Sequence, residues 1–304
     1  MRSVHELISL AKKCPKQRIA VVFAHDPYVM DAIKITSDFG IISPILIGDG
    51  TLIRALVAQF DIRERCEIID ELDGEKAARI AVDLVNSNQA DLIMKGLLDT
   101  KVLLKQVVNS TWGIKEAKLL SHVGLVSFQG LDRVLFATDG AMNITPNVEE
   151  KILMIENAVK LTKMLGYACP KVGLVSAVEK VNPKIQSTLE AEEIRNHYLE
   201  TKETEFLVDG PFAIDNLVSE ESVHHKGIQS PVAGVADILV FPNLDGGNIF
   251  YKTCVFLGHA GAAGIVLGAK VPIVLTSRAD SSDTKVNSIA LGVISGYGLF
   301  NSRH

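Results

Sequence analysis

Hydrophobic positions in this chain fall into short β-branched runs separated by amphipathic stretches. The runs occupy residues 19–23, 45–47, 67–69, 92–94, 123–128, 134–136, 172–175, 206–208, 238–240 and 273–275. Most are too short for helices and lack period-two alternation, as expected of strands buried on both faces. Between them lie helical patterns. Thr145-Pro146 places a capping hydroxyl before a proline at the first helical position, and Val148, Ile152, Ile155, Val159 and Thr162 follow at i+4 and i+3 spacing. Residues 75–88 repeat this logic with Ala77, Ala81, Leu84 and Val85, and residues 284–295 do so with Val286, Ile289, Ala290 and Val293. Residues 1–16 set Val4, Leu7, Ile8 and Ala11 on one helical face. The unit throughout is strand, loop, helix, which predicts an α/β fold with largely parallel strands.

Composition sharpens this picture. The 304 residues are about twice an average domain, so two domains or one large α/β domain are expected. No repeat, low-complexity tract or flexible linker places a boundary between them. The net charge of −5 comes with basic residues that are scattered, not clustered as a phosphate-backbone stripe requires, so no nucleic-acid partner is expected. Cys14, Cys66, Cys169 and Cys254 lie far apart without a C-x-x-C pair, which predicts reduced thiols in a cytoplasmic protein. No apolar run approaches the roughly 18 residues that span a bilayer, and no secretory signal opens the chain, so no membrane association is expected.

Several chemistries are excluded by pattern. The chain has no G-x-x-x-x-G-K-[ST], no G-x-S-x-G and no H-E-x-x-H. Gly258, Gly261, Gly264 and Gly268 lack the G-x-G start of a dinucleotide loop, and His224-His225 reads as a polar surface pair.

Four polar clusters remain, each where an apolar strand ends, the usual ligand crevice of an open α/β sheet. The first runs from Thr276 through Ser277, Arg278 and Asp280 to Asp283, ahead of a helix start. It suits an oxyanion or phosphate, and equally a helix cap with Arg278 paired to Asp283. The second is Lys95-Gly96 with Asp99 and Thr100, leading into a helix that carries Lys105; Asp99 or Thr100 could be only a cap. The third is Thr138 to Asn143. The fourth, Asn243 to Asn248, contains Asp245-Gly246-Gly247, which reads first as a turn. Four such exits in one chain favour convergence of some of them.

Six segments together resemble the phosphate acetyl/butyryl transferases, with the phosphate butyryltransferase branch favoured. They are residues 90–96, 120–123, 176–183, 209–211, 242–248 and 276–281, and they span the chain in order. The resemblance implies two α/β domains with a cleft between them, as in isocitrate and isopropylmalate dehydrogenases. The first domain would comprise residues 1–118 plus 270–304, and the second residues 119–269. The implied activity is reversible transfer of a short-chain acyl group, butyryl favoured, between coenzyme A and inorganic phosphate. No tightly bound cofactor or metal is expected. The partners are acyl-CoA and phosphate as substrates, and a second copy of the chain in a homo-oligomer, dimer or higher.

Carried over by position, Ser277 hydrogen-bonds the reacting centre and Arg278 holds the phosphate group. Asp283 is the candidate base for the coenzyme A thiol, with Asp280 as its alternative. Lys95, Asp99, Thr100, Lys105, Asn143, Asn248 and Thr276 are candidate substrate contacts. Lys105 stands where the acetyl branch has a functional arginine, so the planar bidentate fork is lost. Two alternatives stay open: phosphate acetyltransferase, which differs by pocket volume, and a metal- and NAD-dependent β-decarboxylating dehydrogenase of similar fold.

Overall fold

The computed structural model describes residues 1–201, 205–277 and 279–301. The chain opens with α1 (Glu6–Ala11), β1 (Gln17–Val22), α2 (Pro27–Asp38), β2 (Ile42–Gly48) and α3 (Gly50–Gln59). It continues with β3 (Glu67–Asp70), α4 (Gly74–Asn86), β4 (Leu92–Lys95) and α5 (Thr100–Val107). Next come β5 (Ser121–Ser127), β6 (Leu135–Thr138), α6 (Val148–Met164), β7 (Lys171–Val175), α7 (Gln186–Glu200) and β8 (Leu207–Phe212). Helices α8 (Ile214–Val218) and α9 (Glu220–Lys226), strand β9 (Ile238–Val240) and helix α10 (Leu244–Lys252) follow, the last running into a π-helical turn at Thr253–Leu257. The chain closes with β10 (Gly261–Leu267), β11 (Ile273–Val274) and α11 (Ser282–Asn301). The architecture is mixed α/β. Among the described residues, no helix is long and apolar enough to cross a membrane.

Two compact units account for the chain: Val4–Leu120 with Gly261–His304, and Met1–Ser3 with Ser121–Ala260. In the first unit the strands lie in the order β3-β2-β1-β4-β11-β10. All neighbours are parallel except β10, which runs antiparallel to β11. The register sets Val22 opposite Lys95 and Met94 opposite Val274, so the carboxyl ends of β1, β4 and β11 finish side by side. Helix α11 is buried on every side from Thr284 to Gly296, which marks it as a core helix. Gly292 permits this packing, since a Cβ there would lie 2.9 Å from the Leu92 side chain and 3.1 Å from that of Val274. Polar side chains tie the same helix to β10: Gly264 N donates to Ser288 Oγ at 3.0 Å and Asn287 Nδ2 to the Ala262 carbonyl at 3.3 Å.

In the second unit the order is β5-β6-β9-β7-β8, with β5 antiparallel to β6 and the rest parallel. Its core gathers Val126, Leu135, Val175, Leu217, Leu239 and Phe241.

Three details differ from the sequence pattern. Strand β10 was not expected, because Gly261, Ala262, Ala263 and Gly264 carry little strand propensity and gain their place from β11 and α11. Helix α1 covers only Glu6–Ala11 of the amphipathic stretch at residues 1–16. Helix α6 begins at Val148, not at Pro146. Its cap is Asn147, whose side chain accepts from Glu150 N at 2.9 Å while Glu150 accepts from Asn147 N at 2.8 Å, a reciprocal capping box. Asn147→Ala should therefore lower stability by about 1 kcal/mol, read as a drop in the urea midpoint at unchanged slope, whereas Thr145→Ala should leave the midpoint in place.

Candidate active site

The first unit brings its two expected clusters to adjacent strand ends. At the end of β4, Lys95 is buried and its Nζ donates to the carbonyls of Gly96 (3.2 Å) and Leu98 (3.1 Å). The loop rests on the end of β1, with Leu97 N donating to the Phe23 carbonyl at 3.0 Å. Gly96 allows that approach, as a Cβ would fall 2.1 Å from the Phe23 oxygen. Asp99 is exposed and caps α5 by accepting from Lys101 N at 2.7 Å, with Thr100 as the first helical residue. Lys105 lies on the exposed face of α5, paired with Glu75 at 2.8 Å.

Beyond β11, Thr276 is buried and Ser277 exposed; Arg278 lies outside the described residues. Ser277 N donates to Asp280 Oδ2 at 2.6 Å, Asp280 N donates to the Ser277 carbonyl at 3.2 Å, and Ala279 N donates to Ser277 Oγ at 3.3 Å. These bonds draw Ser277, Ala279 and Asp280 into a tight turn. Ser281 then caps α11 by accepting from Thr284 N at 3.1 Å. Ser282 Oγ donates to the Asp31 carboxylate of α2, and Asp283 is exposed in the first turn of α11.

Sequence reasoning passed over Lys285. This residue is 3% exposed, and its Nζ donates to the carbonyls of Asp280 (2.5 Å) and Ser277 (3.5 Å). Burial pushes its pKa below the ordinary lysine value, while the carboxylates of Asp280 and Asp26 oppose that shift. Asp26 itself caps α2, accepting from Tyr28 N and Val29 N. The available signal was that Lys285 is the one charged residue between positions 284 and 301, in an otherwise apolar helix.

In the second unit the other two clusters also converge. Asp139 is 1% exposed and accepts from His122 N (2.9 Å), Ala141 N (2.7 Å), Met142 N (2.9 Å) and Asn143 Nδ2 (2.7 Å). Asn248 Nδ2 donates to the Gly140 carbonyl at 2.8 Å. The Asp245-Gly246-Gly247 segment is not a turn but the start of α10, capped by Asn243, which accepts from Gly246 N at 2.9 Å. Gly247 is there for contact: a Cβ would sit 2.3 Å from the Asp139 carbonyl oxygen.

The chemistry available in the first unit follows from these placements. Parallel strand ends, the amino end of α11, two buried ammonium groups and two hydroxyls favour an anion that also needs a hydrogen-bond donor. The thiols of this unit, Cys14 and Cys66, are poor nucleophiles, because burial raises their pKa.

Comparison with known proteins converges on one class. A family model described as phosphate acetyl/butaryl transferase matches residues 67–293. The chain is 40% identical over 294 residues to a phosphate butyryltransferase of Clostridium beijerinckii, covering 96% of this chain and 97% of that protein. It is 38% identical over 291 residues to a phosphate acetyltransferase of Thermotoga maritima, covering 96% and 99% respectively. Its fold is similar to the crystal structure of a branched-chain phosphotransacylase from Enterococcus faecalis, with a TM-score of 0.85 at 33% identity, covering 92% of this chain and 99% of that one.

The two neighbouring glycines of α10 supply a matched test of the packing around Asp139. Gly246→Ala, whose Cβ has only ordinary contacts, should hold or raise the denaturation midpoint, by up to about 1 kcal/mol from helix propensity. Gly247→Ala should lower it by about 1–3 kcal/mol through overpacking.

Proposed function

The chain belongs to the phosphate acetyl/butaryl transferase family, and from that membership we propose that it transfers a short-chain acyl group, butyryl favoured, reversibly between coenzyme A and inorganic phosphate. The observation that carries this reading at the level of residues is the Ser277 turn, set between the end of β11 and the amino end of α11.

In the direction of acyl-CoA synthesis, the coenzyme A sulfur attacks the carbonyl carbon of the acyl phosphate. A C–S bond forms, the carbon–oxygen bond to phosphorus breaks, and phosphate leaves with that electron pair. The thiol proton passes to a carboxylate; a thiol of pKa about 8.5 is only a few per cent ionised at neutral pH, so a base raises the nucleophilic fraction. Asp283 is the proposed base. Its rival, Asp280, already accepts the Ser277 N–H and faces Lys285, which supports a structural part for it. Asp283 is exposed, so its carboxylate is open to an incoming thiol.

Negative charge gathers on the carbonyl oxygen in the tetrahedral intermediate. Ser277 Oγ accepts within its own turn and can still donate its proton to that oxyanion. Arg278 is proposed to hold the departing phosphate in a bidentate grip. Lys95 and Thr276, both buried at the same strand ends, support this anionic site. Capping by Asp99 and the Glu75 pairing of Lys105 support structural parts for those two residues and for Thr100. Asn143 and Asn248 are proposed as further substrate contacts through their amide oxygens, because one amide N–H of each is engaged in the loop around Asp139.

The reading extends to the wider protein. We propose a cytoplasmic homo-oligomer that needs no tightly bound cofactor. Its finer fold assignment is the isocitrate/isopropylmalate dehydrogenase type, with residues 1–118 plus 270–304 and residues 119–269 as the two α/β domains.

Phosphate-dependent release of free thiol from acyl-CoA tests the proposal. Turnover is expected with butyryl-CoA, and acetyl-CoA should be poorer by roughly 10-fold or more for the two missing methylenes; a chain-length preference that peaks at acetyl overturns the butyryl assignment. In the same assay Ser277→Ala should lower kcat by about 10²–10³-fold, the usual effect of losing one oxyanion donor. Asp283→Asn should lower kcat by about 10²–10⁴-fold, the usual effect of losing a general base, and full activity in both variants would remove this site from the mechanism.

A further inference from the structure

We propose that Lys285 is a positioning residue for the acyl transfer, its ammonium gathering the Ser277 and Asp280 carbonyls so that the turn presents the Ser277 hydroxyl in one fixed orientation. This rests on the reading of Ser277 as the residue that meets the reacting carbonyl.

Stability alone gives little reason for a lysine here. The residue is 3% exposed and sits among the buried side chains of α11, where a leucine or methionine would fill the same volume. A buried ammonium gives up its hydration shell. It is also the fourth residue of α11, close to the positive end of the helix, where a cation is disfavoured. What the ammonium gains is specific: a 2.5 Å bond to the Asp280 carbonyl, a longer 3.5 Å approach to the Ser277 carbonyl, and the fields of the Asp280 and Asp26 carboxylates. Those two carbonyls belong to the residues that open and close the turn. The carbonyl of Ser277 also accepts from Asp280 N, so one ammonium and one backbone bond hold the same oxygen. Because Lys285 is fixed in a core helix, it transmits the position of α11 directly to the turn. Among the described residues, Asp26, the cap of α2, and Asp280 supply the carboxylate fields at this ammonium.

The test is Lys285→Met, which keeps the length and apolar volume and removes the charge and the donors. With butyryl-CoA and phosphate, kcat should fall about 10–100-fold, the usual consequence of a small misplacement of a reacting group, with KM values within about threefold of the parent. The thermal midpoint should hold or rise. Lys285→Ala should recover activity saturably with added propylammonium, the fragment it lacks, and not with propanol. Ser277→Ala, run in parallel, tests the underlying reading: if it retains activity, that reading falls whatever Lys285 does. If Ser277→Ala is inactive while Lys285→Met keeps kcat within twofold, the positioning role is overturned and the serine's role stands. A rise confined to the phosphate KM overturns it in favour of simple charge attraction. Loss of folding in both lysine variants, or a folded Lys285→Ala that propylammonium does not rescue, overturns it in favour of a purely structural lysine.

Discussion

Burial of α11 is the constraint on which the first unit depends. The helix is packed from Thr284 to Gly296, with Gly292 drawn onto Leu92 of β4 and Val274 of β11 and with Ser288 and Asn287 bonded to β10. A helix held this closely cannot slide or rotate without breaking core contacts. Its amino end is therefore fixed relative to the ends of β4 and β11, and the Ser277 turn has only a few residues in which to connect them. The chemistry proposed for this turn uses a geometry that the core has already determined.

The loops at the strand ends share a common device. Lys95 gathers the carbonyls of its own loop, Lys285 gathers those of the Ser277 turn, and Asp139 gathers backbone N–H groups in the second unit. In each case a buried polar side chain satisfies loop backbone that no strand or helix ladder reaches. This arrangement makes rigid loops from short polar segments, which suits catalysis that depends on preorganised donors. Glycine completes it wherever backbones must touch, at Gly96 against Phe23 and at Gly247 against Asp139.

Much of this was legible in the sequence. Ten apolar runs corresponded to strands because buried parallel strands are written as continuous β-branched stretches, and the four polar clusters stood where those strands end. The small-residue strand β10 was hidden because its place comes from partners, not from propensity. Asp245-Gly246-Gly247 read as a turn because glycine pairs usually are one; the nearby Asp139-Gly140 backbone explains Gly247 in a helix. Asn147 was overlooked as a cap because Thr145-Pro146 offers the same local signal two residues earlier, and the capping box depends on Glu150. Lys285 was missed for a different reason. Periodicity detects faces, and a helix buried on all sides has no polar face against which one lysine stands out.

The central claim, that acyl transfer takes place on the turn between β11 and α11, is tested most directly by a crystal structure of the protein with butyryl phosphate and desulfo-coenzyme A bound. The account predicts the acyl carbonyl oxygen within hydrogen-bond distance of Ser277 Oγ, the phosphate at the amino end of α11, and a carboxylate of Asp283 nearer than that of Asp280 to the position of the missing sulfur. Substrate bound elsewhere, with the Ser277 hydroxyl turned away from it, would contradict the account.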